Sequence, residues 1–189
     1  MKHEFIYGTQ YYRDPTPLED EWDKDLDGIK QINIDTVQLR LNWRYFERKE
    51  NEYDFSKVDR LLKKCEEHGF KVIIKFMLEC APQYIFEKYN GTRISYDGTL
   101  IRPASHGAFY GGWRPCFSNK KVMERAVLFV KKLTEHIYKH ECIILYNIWN
   151  EIRNRPLGEC FCPECRKAYG EYLKNKCNMS LVVIDVNSL

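Results

Sequence analysis

Short apolar runs alternate with amphipathic stretches along this chain, and the alternation predicts strands and helices taking turns. Phe5 to Tyr12 reads as a first strand, stopped by the turn Asp14-Pro15-Thr16-Pro17. Pro17 suits the opening of a helix with Glu19, Asp20 and Glu21 in its first turn and Leu18, Trp22, Leu26 and Ile29 on one face. Asp35 to Leu41 is a second strand. Ser56 can cap the next helix, which turns Val58, Leu61, Leu62 and Cys65 inward and ends at Gly69. Phe70 to Phe76 is a third strand. From about Asn90 to Pro115 the chain is rich in Gly, Ser and aromatics and reads as a long irregular loop that carries function. A further helix is expected over Asn119 to His140, then a fourth strand over Cys142 to Trp149 that runs into Asn150-Glu151. A last helix follows a cysteine cluster and ends near Cys177.

The order β-α-β-α-β-α-β-α calls for parallel strands joined by right-handed helical crossovers. No Gly-x-Gly-x-x-Gly follows the first strand, which counts against a nucleotide-binding doubly wound sheet. A (β/α)8 TIM barrel needs about 250 residues. The expectation is therefore an α/β chain holding the first four β/α units of a barrel over residues 1–177, with 178–189 a divergent or truncated tail. Half a barrel leaves its first and fourth strands as open edges with apolar faces, and self-association is expected.

Composition narrows the class. At 44% hydrophobic and 14% aromatic, the 189 residues are not those of a disordered chain. The net charge of +3 is spread along the sequence, which gives no reason to expect nucleic acid as a partner. No run of about 18 apolar residues predicts a membrane span. The opening Met-Lys-His-Glu-Phe-Ile-Tyr-Gly lacks the apolar core of a signal peptide, so a cytoplasmic protein is the expectation. In that compartment the eight cysteines stay reduced, and clustered ones point to metal.

Three sets of residues carry candidate chemistry. Glu151 follows the fourth strand directly, at the end that faces the active site in barrels, and a glycosidase needs one protonated carboxyl to donate to the leaving oxygen. Trp149 beside it favours the neutral form, and Asn150 can donate to a sugar hydroxyl. The second set is Cys160, Cys162 and Cys165, spaced C-x-C-x-x-C, with Cys116 the choice for a fourth ligand. Four thiolates close a zinc shell, so this zinc is structural. Cys65, Cys80, Cys142 and Cys177 read as ordinary buried thiols. Third, Arg40 near the end of the second strand can hold a carboxylate or a sugar hydroxyl. Trp43, Trp113 and Tyr110 are either sugar platforms or core.

Taken together, Tyr7-Gly8-Thr9-Gln10-Tyr11-Tyr12, the Trp43…Glu47…Tyr53-Asp54-Phe55 run, Trp149-Asn150-Glu151 and the C-x-C-x-x-C cluster resemble the β-galactosidases of glycoside hydrolase family 42. The resemblance covers about residues 5 to 177. It implies retaining hydrolysis of terminal β-D-galactosides, with Glu151 as acid/base and Asn150 binding substrate. It also implies a structural zinc on Cys116, Cys160, Cys162 and Cys165, and homotrimers formed through a domain beyond this chain. The family's nucleophile is a glutamate on the seventh strand, outside these residues, so the chain alone is expected to be inactive. On paper Glu47 and Glu79 are alternatives, but Glu47 matches a non-catalytic position and Glu79 one that is usually small. The family's arginine four residues before the first zinc cysteine falls on Gly112 here, which makes the displaced Arg114 the binding candidate. Asn42 replaces a small apolar residue and points to altered substrate choice. Two other readings stand beside this one: a related barrel glycosidase acting on another β-glycoside, and a non-catalytic zinc-stabilised carbohydrate-binding fragment.

Overall fold

A computed structural model describes residues 5–101, 114–149 and 160–177. Its first strand, β1 (Gly8–Arg13), leaves Phe5, Ile6 and Tyr7 exposed ahead of it. After the Pro-rich turn comes a short 3-10 turn (Glu19–Glu21), and α1 proper begins only at Trp22 (Trp22–Gln31). Trp22 and Leu26 are buried as expected, whereas Leu18 precedes the helix and is exposed. Next come β2 (Thr36–Asn42) and a single helical turn, α2 (Trp43–Phe46). The following helix, α3 (Ser56–Glu67), buries Val58, Leu61, Leu62 and Cys65, positions that recur on one face at helical spacing. Ser56 is its first residue and not its cap: its N–H donates to Asp54 Oδ1 at 3.0 Å. Gly69, at φ +68°, ends the segment in a left-handed conformation that a side chain would strain.

The chain continues through β3 (Lys71–Met77) and α4 (Gln83–Glu87). The stretch expected to be irregular contains a small antiparallel pair, β4 (Arg93–Ile94) and β5 (Leu100–Ile101). The pattern of apolar residues misses it because each strand is two residues long. Then α5 (Lys120–Ile137) starts at Asn119, whose side chain accepts the N–H groups of Lys121 and Val122. It turns Val122, Ala126, Phe129, Leu133 and Ile137 inward. Last come β6 (Ile143–Asn147), which stops two residues short of Trp149, and α6 (Pro163–Cys177).

Four strands form one parallel sheet in the order β1-β2-β3-β6. Each new strand joins beside the previous one, the pattern of a barrel segment, whereas a doubly wound sheet reverses direction. One face carries Val37, Leu39 and Leu41 of β2 and Val72, Ile74 and Phe76 of β3, all packed into one core with Trp22, Leu61, Leu62 and Phe129 of the helices. The other face is polar near its C-terminal end. Register aligns Arg13 with Arg40, Arg40 with Lys75, and Lys75 with Asn147, one row across all four strands. As expected of open edges, exposed apolar residues lie on β6 and just after it, at Ile144, Leu145, Tyr146 and Ile148, and just ahead of β1, at Phe5, Ile6 and Tyr7.

Candidate active site and metal centre

Parallel strands all point their C-terminal ends the same way, so the loops after β1, β2, β3 and β6 gather at one end of the sheet. Asn150 and Glu151 lie outside the described residues. The chain is described up to Trp149, whose N–H donates to Asn147 Oδ1 at 3.2 Å and whose ring meets Phe117 edge-on, centroids 4.7 Å apart at 69°. Arg40 is half-buried on the polar face of β2, between Arg13 and Lys75 in the row. Lys75 and Asn147 join this row only through strand register, a long-range relation that local sequence pattern does not carry. Arg114 is half-buried two residues ahead of Cys116.

Trp43 has no exposed surface. Its ring stacks on Phe129 and its Nε1 donates to Glu47 Oε2 at 2.7 Å. Of the two readings open from sequence, its place is the core. Trp113 and Tyr110 fall outside the described residues.

The two paper candidates for nucleophile also have places. Glu47 is fully buried, taking Trp43 Nε1, the Asn51 N–H at 3.0 Å and the Arg125 guanidinium. Arg125 in turn bonds Asn51 Oδ1 and lies against Tyr84 and Tyr53. A carboxylate so committed ties the segment after α2 to α5 and has no lone pair directed at substrate. Glu79 is buried just beyond β3, next to Cys80.

The cysteines assemble. The sulfurs of Cys116, Cys160, Cys162 and Cys165 all lie within 4.8 Å of one another, with Cys116 at 3.5 Å from Cys162 and 3.4 Å from Cys165. Tetrahedral ligation at about 2.3 Å sets sulfur–sulfur distances near 3.8 Å, so the donor set fits one tetrahedral ion with small adjustments. Backbone contacts to the stretch Gly91–Ile94 hold the two contributing segments. Cys116 N–H donates to Gly91 O at 2.7 Å, and Phe161 N–H donates to Ile94 O at 2.8 Å. Gly91 is required there, because a Cβ would come within 2.9 Å of Ile85 O. Hydrogen bonds from Cys116, then from the backbone N–H groups of Cys162 and Ile94, hold the Cys160 thiol down to about 4, against its burial. Thiolate is the form that binds metal. Elsewhere, burial pushes Cys65, Cys80 and Cys142 up to about 12, which makes them inert; Cys177, expected to be buried, is exposed. No helix among the described residues is long and apolar enough to cross a membrane.

Known proteins agree with this arrangement. The family model described as Glyco_hydro_42, beta-galactosidase, matches residues 10–182. The β-galactosidase LacZ of Lactobacillus acidophilus is 27% identical over 175 residues, covering 91% of this chain and 24% of the relative. LacZ of Heyndrickxia coagulans is 25% identical over 178 residues, covering 93% and 26%. Among solved structures, the β-galactosidase of Bacillus circulans sp. alkalophilus superposes with a TM-score of 0.76 at 20% identity, covering 92% of this chain and 24% of that one. The enzyme of Halorubrum lacusprofundi gives 0.77 at 19%, covering 91% and 25%. The chain thus spans about a quarter of the length of the relatives it matches. With the family model covering nearly all of the sequence and the sheet superposing on these enzymes, the chain belongs to the Glyco_hydro_42 β-galactosidase family, and its fold is part of a TIM barrel.

Proposed function

We propose that these residues supply the acid side of a retaining hydrolase of terminal β-D-galactosides, with Glu151 protonating the leaving oxygen and then acting as base. The observation that carries the reading is the family match running through residue 151, together with a fourth parallel strand that ends four residues before it in sequence. Asn150, Arg40 and Arg114 bind sugar in this scheme, Arg40 from the polar row on the sheet. A retaining enzyme needs a second carboxylate about 5–5.5 Å away. Glu47 is spent on Arg125, so the nucleophile comes from elsewhere in the whole protein. The four thiols hold one zinc, which when bound closes a structural crosslink between the segment of Cys116 and that of Cys160–Cys165. Following the same resemblance, the whole protein is a cytoplasmic homotrimer.

The test uses these residues within a complete barrel. General acids contribute about 10²–10⁴-fold. In kcat/KM, which reports the first step, Glu151→Gln is expected to lose that much on galactosides with poor leaving groups, and far less on activated aryl galactosides, which need little protonation to depart. Equal losses on both would contradict an acid role.

A further inference from the structure

The thiolate centre and the end of β6 meet through one pair of rings. Cys116 occupies a fixed place: its N–H is held by Gly91 O, and its C=O accepts the N–H of Asn119, the cap of α5. Phe117 is the next residue, in the turn between that cysteine and that cap. Its ring is half-buried and packs edge-on against Trp149. Trp149 is held on its other side by Asn147 Oδ1, which accepts its backbone N–H just past the strand. Among the described residues, Trp149 is thus held by its own strand and by a ring of the cysteine segment, besides packing against the main core, and Glu151 follows two residues later in sequence.

We propose that Phe117 is a positioning residue that couples the thiolate centre to the segment after β6 through its contact with Trp149. The inference rests on the metal reading of the four cysteines and, for its consequence, on Glu151 as the acid. When sulfurs 3.4–3.5 Å apart are drawn around one ion, Cys116 is fixed and the neighbouring ring with it. When the ion leaves, the backbone bonds of Cys116 remain, but its sulfur is no longer tied to those of Cys160, Cys162 and Cys165, and the turn that carries Phe117 loses that restraint, so the ring re-seats. An edge-to-face pair depends on ring placement, so a small shift of Phe117 is transmitted to Trp149. The centre then does more than crosslink: it sets the direction in which the chain leaves β6.

The test reads Trp149 itself and not turnover. In the 189-residue chain, indole N–H resonances are followed by ¹⁵N NMR as metal is withdrawn with a chelator, with Trp149 identified by Trp149→Phe. The expected result is a shift of the Trp149 signal, while Trp22, whose Nε1 bonds Pro17 O beside β1, and the core Trp43 stay in place. That response is lost in Phe117→Leu, which removes the ring, and restored in Phe117→Tyr, which keeps it. A Trp149 signal indifferent to metal overturns the proposal. So does a movement of all the indoles together, because that is global loosening, or a response that persists in Phe117→Leu. Metal analysis of the same sample separates this failure from that of the underlying reading: a chain that binds no metal refutes the zinc centre, and with it the coupling. Should Phe117→Leu fail to fold, the wild-type response and the tyrosine variant still decide.

Discussion

Glu47 and Asp14 are buried carboxyls near the C-terminal ends of neighbouring strands, and they meet burial in opposite ways. Glu47 has a full set of partners, Arg125 above all. Replacing it with Gln leaves the largely buried Arg125 guanidinium only the longer contact to Glu50 at 4.0 Å, and breaking such a buried pair costs up to about 3–5 kcal/mol. Urea unfolding of Glu47→Gln should show a loss of that order, and a negligible change would mean that the pair contributes nothing. Asp14 takes the Asn42 N–H at 2.8 Å. Burial pushes its carboxyl up to about 7, against the bond from the Asn42 N–H and the nearby Tyr12 hydroxyl and Lys57. Its folded value lies above its unfolded one, so as pH rises the unfolded chain releases the proton first and stability falls. The penalty is absent below about pH 4 and complete above about pH 7, on the order of a few kcal/mol. Melting temperatures of the wild type should drop between pH 5 and pH 8 more than those of Asp14→Asn; parallel curves would contradict the assignment. Neither role is legible in sequence. The motif around Glu47 marks a position, but only the partner arriving from α5 shows what the carboxylate does.

Among elements, α3 and α5 are the most legible, because a long apolar stripe at helical spacing has one solution against a sheet. Truncating that stripe has a known scale: Leu61→Ala should cost about 2–5 kcal/mol in chemical denaturation. The helix α6 is a different case. It buries none of its residues, so apolar packing does not explain its attachment. Cys162 and Cys165, just before and within its first turn, do. Metal removal should therefore release α6 before the sheet. Bound zinc at a thousand-fold over its Kd is worth about 4 kcal/mol to the state that binds it. Hydrogen exchange over residues 163–177 should rise on chelation and in Cys116→Ser while α3 stays protected; an α6 equally protected in both states would contradict a metal anchor. The C-x-C-x-x-C spacing makes this centre visible from sequence. The β4–β5 pair that props it is not visible, being too short to leave a periodic trace.

For the whole molecule, the alternation of strand and helix is enough to name the barrel class, since sequential parallel strands with helices on one face leave few alternatives. The family is legible because Trp149-Asn150-Glu151 and the cysteines occur together. Hidden from sequence is the row Arg13, Arg40, Lys75 and Asn147, which exists only once register brings four distant segments level. That row places cations and an amide at the strand ends from which family members build their sites, and it is where sugar contacts are to be sought. The most direct measurement is hydrolysis of a β-D-galactoside with a poor leaving group, such as lactose, by the purified 189-residue chain, with Glu151→Gln beside it. The expected result is no turnover that depends on Glu151, because on the proposed reading Glu151 is the acid and the nucleophile comes from elsewhere in the whole protein. Turnover that disappears in Glu151→Gln would contradict this, and would mean that a nucleophile stands within these residues or is lent by another copy of the chain.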